Sequence, residues 1–249
     1  MDVLHISDTH FVEKARASDR KIITAIKNRY PSHLLIITGD VADDGYVSQY
    51  GVAYGLLVAL PNNILMCPGN HDYGVAGTIY SKECEQHYQD FTRKLLRDAY
   101  NVGVFVTDDV VFVRVITPFD TNGPFEFACG QVGETQMAWI KEVLEDYKDK
   151  KKVVYLHHHP WIHTDPFMRL IDADEFLKVC GDAKVDVLLF GHKHVVGRWH
   201  NYKGIGDGLA CGRTTADGSA WELQITASQV QITQVNLLPR RKSAPKGRG

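Results

Sequence analysis

Leu34-Leu35-Ile36-Ile37-Thr38-Gly39-Asp40-Val41-Ala42-Asp43 is the stretch from which the fold is read. A short apolar run of this kind, closed by a glycine, reads as a buried strand of a sheet covered on both faces. Gly39 permits a sharp turn, which sets the carboxylate of Asp40 at the mouth of the sheet. Upstream, Val3 to Ser7 reads as another buried strand and Arg20 to Tyr30 as an amphipathic helix, so the opening unit is strand, helix, strand. Downstream, Ser48 to Leu60 is helical, and Ile64 to Cys67 is a third strand halted by the turn signal Pro68-Gly69.

Beyond that point the spacing predicts a helix within Tyr80 to Tyr100, a hairpin from Val102 to Val106 and Val110 to Ile116, and a long loop from Thr117 to Gly133. Met137 to Tyr147 reads as a helix, Val153 to Leu156 as a buried strand, Asp174 to Val179 as a helix and Val185 to Phe190 as a buried strand. The alternation of Val195 to His200, Gly204 to Leu209, Ala220 to Ile225 and Val230 to Val235 predicts a consecutive β-meander. Two strand-rich halves separated by helices fit an α/β fold of two sheets packed face to face with helices outside.

The bulk numbers narrow the class. A chain of 249 residues can bury one α/β core, and a single domain is expected over 1–238. Hydrophobic residues make up 44% and charged residues 23%, with no apolar run near the roughly 20 residues a membrane span needs. The start Met1 to Ile6 reads as a strand rather than a secretion signal. Five cysteines, Cys67, Cys84, Cys129, Cys180 and Cys211, lack paired or zinc-type spacing, which points to a reducing, cytoplasmic setting. The segment 239–249 carries five basic residues and no acid and reads as a disordered tail; without them 23 basic residues face 30 acidic ones. A body charge near −7 disfavours long nucleic acid as a partner.

Every chemically suggestive cluster sits where a predicted strand ends, the place where open α/β sheets gather ligands. Asp8-Thr9-His10 follows the first strand and offers a carboxylate and an imidazole two residues apart, suited to one metal ion. Asp40 follows the second and can bridge two ions, with Asp43 holding a ligand imidazole in its tautomer or capping the next helix. Gly69-Asn70-His71-Asp72 follows the third. His157-His158-His159-Pro160 and Gly191-His192-Lys193-His194 follow the two strands of the second half, and in an extended segment residues two apart share a face. Turn and cap chemistry accounts for each short motif alone. It does not account for seven of twelve histidines falling at successive strand ends among oxygen donors, a mixture suited to first-row transition metals.

The ordered set Asp8-x-His10, Gly39-Asp40-x-x-Asp43, Gly69-Asn70-His71-Asp72, His157 and Gly191-His192-x-His194 resembles the calcineurin-like metallophosphoesterase superfamily, in look nearest the class III cyclic-nucleotide phosphodiesterases. The resemblance spans residues 8 to 194 and implies a four-layer αββα sandwich. It implies two ions of Mn, Fe or Zn, one held by Asp8, His10, Asp40 and His194, the other by Asp40, Asn70, His157 and His192. His71 would then give a proton to the leaving oxygen as a metal-bridging hydroxide attacks phosphorus. A cyclic nucleotide or other small phosphodiester is the implied substrate, with a phosphomonoesterase or a partner-binding scaffold on the same fold as alternatives. Candidate substrate contacts are Tyr73, Phe119, Phe125, Phe127 and Trp161 as stacking surfaces, and Asn122, His163, Arg169, His158 or His159 as polar contacts. Oligomeric state is not legible.

Overall fold

The elements follow in the order β1 (Asp2–Ile6), α1 (Ala17–Arg29), β2 (Leu34–Thr38), α2 (Val47–Leu57), β3 (Ile64–Cys67), α3 (Asn70–Tyr73), β4 (Gly74–Val75), β5 (Ile79–Tyr80) and α4 (Lys82–Leu95). The second half contains β6 (Val104–Val106), β7 (Val110–Arg114), α5 (Glu134–Asp146), β8 (Lys151–Tyr155), α6 (Ala173–Asp182) and β9 (Val187–Phe190). It closes with β10 (Gly197–Tyr202), β11 (Ile205–Ala210), α7 (Thr214–Asp217), β12 (Ser219–Ile225) and β13 (Val230–Asn236). The structure is a computed structural model and describes residues 1–96, 98–120, 128–161 and 165–238. The expected basic tail, and with it Asn122, Phe125, Phe127 and His163, lies outside the described residues.

The two larger sheets have the strand orders β13-β12-β1-β2-β3 and β10-β11-β9-β8-β7-β6. β1, β2 and β3 run parallel, as do β7, β8, β9 and β11. Alternation along each strand divides its side chains between two layers. Leu4, Leu35, Ile37 and Met66 meet Ile22 and Ile26 of α1, Ala53 of α2 and Phe91 of α4. Val111, Val154, Leu188 and Phe190 meet Ile140 of α5 and Phe176 of α6. Ile36, Leu65, Phe112, Tyr155 and Leu189 fill the space between the sheets. This is the four-layer αββα arrangement that the resemblance implies, with the two facing sheets and outer helices that the strand and helix succession predicts.

One expectation fails. The four C-terminal strands are no meander: β10 and β11 complete the second sheet, β11 lying parallel to β9, and the chain then crosses through α7 to the first sheet as β12 and β13. Alternation identifies strands but not partners, and β11 is buried along nearly its whole length because it lies between β9 and β10. The crossing has a structural consequence at the first motif. Thr214 and Ser7 exchange hydrogen bonds of 3.1 Å, the Thr215 hydroxyl donates to Thr9 O at 2.7 Å, and Arg16 donates to the carbonyls of Thr9 and His10 at 3.0 and 2.8 Å.

Candidate metal centre

The loops after β1, β2, β3, β8 and β9 converge at one edge of the two sheets. Five of the side chains there, Asp8, His10, Asp40, His192 and His194, have φ between 44° and 72°, in the left-handed region that non-glycine residues rarely occupy. Such conformations cost about 1–3 kcal/mol each and persist where the surroundings over-determine them. Here the surroundings are ladder-like hydrogen bonds between loops, Asp8 N to Gly39 O at 3.1 Å and His10 N to Asp40 O at 2.8 Å. Gly39 itself has φ +85°, and a Cβ there would lie 2.5 Å from His157 Nδ1, so the second loop passes beneath the histidine only as glycine.

Two donor groups result. In one, ligand atoms of Asp8, His10, Asp40 and His194 all lie within 4.8 Å of one another. His194 Nε2 is 3.2 Å from Asp8 Oδ1, and His10 Nε2 is 3.5 Å from Asp40 Oδ2. His10 Nδ1 sits 2.9 Å from Asp43 Oδ1, which holds that nitrogen as the N–H and turns Nε2 with its lone pair to the cluster. In the other, Asn70 Oδ1 is 3.0 Å from His157 Nε2 and 2.9 Å from His192 Nδ1, and Asp40 Oδ2 is 3.3 Å from His157 Nε2.

Tautomer logic makes the second group informative. His157 Nδ1 faces Thr38 O at 2.7 Å and His192 Nε2 faces Met168 O at 3.1 Å; a carbonyl only accepts, so both of these nitrogens carry hydrogen. In the neutral rings the nitrogens turned inward, 3.2 Å apart, present lone pairs to each other, to Asn70 Oδ1 and to the Asp40 carboxylate. Asn70 Nδ2 donates to Gly77 O at 2.9 Å, which fixes the amide with its oxygen inward. Buried acceptors converging in this way repel one another unless a cation, a proton on His157 or a metal ion, lies between them. The chain's residues therefore fit a metal ion of the N/O-preferring transition class.

The electrostatics agree. A cation at this point is also what the charges call for: burial disfavours a protonated His157, but the Asp40 carboxylate outweighs it and raises the imidazole to about 9, and against its own burial the Asp40 carboxyl is held well below its ordinary range by that charge. Burial, then His158 and His157, keep His192 well below its ordinary value and therefore neutral. Contact with Asp8 raises His194 against its partial burial.

The remaining sequence candidates divide. His158 uses both ring nitrogens, on Thr117 Oγ1 at 2.7 Å and Ala128 O at 3.2 Å, and is spent on the loop framework. His159 packs against Phe190 and Trp199 at ring distances of 4.6 and 5.1 Å, and Trp161 stacks on Trp199 at 5.5 Å. Tyr73 is buried against Tyr80 and Tyr88. Arg169 is exposed. Phe119 and Tyr73 share a cleft with Asn70 and Gly77. His71 lies edge-on to His10 with ring centroids 4.5 Å apart, its Nδ1 2.5 Å from Asp43 O.

Sequence reading gave no role to Asp72, which is fully buried and ties the second motif to the third. It accepts from Gly69 N at 2.9 Å, Ala42 N at 3.0 Å, Val41 N at 3.1 Å and the Tyr50 hydroxyl at 3.0 Å. Burial, with the Asp40 charge next, pushes its carboxyl up to about 6. Asp72→Ala leaves those donors facing an empty space, and a loss of about 3–5 kcal/mol in urea unfolding is expected. Retention of full stability would show that the loops hold without it.

Comparison with known proteins points one way. Residues 1–196 match the calcineurin-like phosphoesterase family. A 3',5'-cyclic adenosine monophosphate phosphodiesterase of Escherichia coli is 24% identical over 208 residues, 77% of this chain and 69% of that protein. A glycerophosphodiester phosphodiesterase of Enterobacter lignolyticus is 27% identical over 171 residues, 64% of this chain and 57% of that protein. Among solved structures, a dimetal phosphatase from Danio rerio superposes with a TM-score of 0.70 at 13% identity, covering 96% of each chain, a likeness of fold.

Proposed function

The chain belongs to the calcineurin-like phosphoesterase family, and on that premise we propose that it hydrolyses a small phosphodiester, a cyclic nucleotide foremost, at a dinuclear centre. The observation that carries the reading is Asp40 Oδ2, which lies within 3.5 Å of His10 Nε2 in one donor group and 3.3 Å of His157 Nε2 in the other. Asp8, His10, Asp40 and His194 would hold one ion, and Asp40, Asn70, His157 and His192 the second. Two ions of Mn, Fe or Zn would supply Lewis-acid activation of water and charge stabilisation at the phosphoryl oxygens.

The chain's own residues do the rest. Asp43 keeps the Nδ1 proton on His10, so that the ring offers Nε2 inward. His71, whose Nδ1 hydrogen is engaged by Asp43 O, carries on Nε2 the proton that the leaving oxygen takes up. His194, 41% exposed where the other ligands are buried, marks the open side by which substrate approaches. Phe119, with Tyr73 and Tyr80 in the same cleft beside Asn70, offers aromatic surface to a base.

The test is metal analysis of the purified protein with a substrate panel: bis(p-nitrophenyl) phosphate, cyclic nucleotides, a glycerophosphodiester and p-nitrophenyl phosphate. Two transition-metal equivalents, diesterase activity abolished by chelation and its return on adding Mn²⁺ are expected. A monoester preference selects the phosphomonoesterase alternative, and a metal-loaded protein inert toward every substrate selects a partner-binding scaffold. In the structure no helix among the described residues is long and apolar enough to cross a membrane.

A further inference from the structure

β7 places its side chains alternately. Val111 and Val113 join the outer core against α5 and α6, whereas Val110 and Phe112 face the other sheet. Arg114 is next in that inward row, so a guanidinium stands where the strand pattern calls for an apolar group. Among the described residues it has no ion-pair partner, and its one side-chain hydrogen bond is a long 3.5 Å to Asn101 Oδ1. A half-buried cation in this position is thus only weakly satisfied by the described residues.

Beside it is a cavity of about 240 Å³, with Pro68, Tyr73, Tyr88, Arg93 and Asn101 also in its walls. Tyr88 is 3% exposed, and among the described residues its hydroxyl has no hydrogen-bond partner. Burial, then the Asp72 charge, holds that phenol protonated far above its ordinary range, so it stands as a donor. Three other polar side chains of the wall are already engaged: Arg93 with Asp90 Oδ1 at 2.9 Å, Thr92 Oγ1 with Gln89 O at 3.0 Å and Gln89 Nε2 with Glu85 Oε1 at 3.0 Å. Among what is left are a positive fork and the buried Tyr88 hydroxyl. The space is several times the roughly 30 Å³ share of one water, and a water would satisfy the hydroxyl without neutralising the guanidinium.

We propose that this cavity is a binding site for a small oxyanion, phosphate or a short carboxylate, held by Arg114 and Tyr88. It is separate from the metal donors, none of which lines it. Its walls Pro68 and Tyr73 flank the segment Gly69 to Asp72, so the occupant lies behind the turn that carries Asn70 and His71.

Titration of inorganic phosphate into the full-length, metal-loaded protein, followed calorimetrically and by phosphorus NMR, tests the site. Wild type is expected to bind one phosphate that survives Asp40→Ala and weakens at least about tenfold in Arg114→Gln, the scale of a lost charge-assisted contact. Tyr88→Phe keeps the ring packed and removes only the orphaned hydroxyl, so a severalfold weakening there upholds the site even if Arg114→Gln proves unstable. A parallel titration with acetate separates the two oxyanion sources, and Arg114-dependent binding of either supports the proposal. Absence of both, or binding unchanged in Arg114→Gln and Tyr88→Phe, overturns it. Phosphate binding lost in Asp40→Ala alone would place the anion at the metal centre and likewise overturn it.

Discussion

Asp40→Ala is expected to purify with fewer than two transition-metal ions and to lose at least about 10³-fold in turnover of bis(p-nitrophenyl) phosphate, the scale of removing a principal electrostatic stabiliser. The two donor groups will not suffer equally. Without Asp40 the first keeps the Asp8 carboxylate, but the second is reduced to Asn70, His157 and His192, which carry no anionic donor. The second ion should therefore be lost first. Asp40→Asn separates charge from conformation, since asparagine tolerates the φ of 50° found here better than alanine does. It too should lose the second ion while leaving the loop intact. Two ions retained per chain with unchanged turnover in Asp40→Ala would sink the dinuclear reading.

How much of this was legible in the sequence depends on what kind of fact is asked for. The strand ends were legible because a buried parallel strand is a continuous apolar run, and the glycine followed by a charged or titratable residue that stops Leu34 to Thr38 or Val187 to Phe190 is conspicuous. Partners were not, because alternation along β11 and β12 is the same whether the strands pair with each other or lie in different sheets. The triple histidine shows the same limit locally. In an extended strand His157 and His159 share a face, but β8 ends at Tyr155, and the chain turns His157 to Asn70, His158 to Thr117 and His159 to Phe190. Nor could spacing reveal that the backbone at Asp8, His10, Asp40, His192 and His194 is left-handed, since that conformation comes from contacts between loops far apart in the chain. Asp72 was visible as a carboxylate in the third motif, yet its task of receiving the amides of Val41 and Ala42 exists only once the loops meet.

His71→Ala is expected to keep its metal and lose about 10²–10⁴-fold in kcat, the usual worth of a positioned proton donor. Metal should stay because the link between this turn and Asp40 is made by the main chain, His71 N to Asp40 Oδ1 at 3.0 Å, and survives the substitution. The imidazole is otherwise held by Asp43 O and stands edge-on to His10, beside the donors rather than among the acceptors that converge on the second group. If its task is to protonate the departing oxygen, the penalty must follow the leaving group. A p-nitrophenolate departs without help, whereas the ribose oxygen freed from a cyclic nucleotide leaves as a strongly basic alkoxide and needs the proton. The loss in kcat should thus be far larger for a cyclic nucleotide than for bis(p-nitrophenyl) phosphate, with KM little changed for either. A purely structural role for His71 would depress both substrates alike, and an equal fall, or none, would remove it from proton transfer.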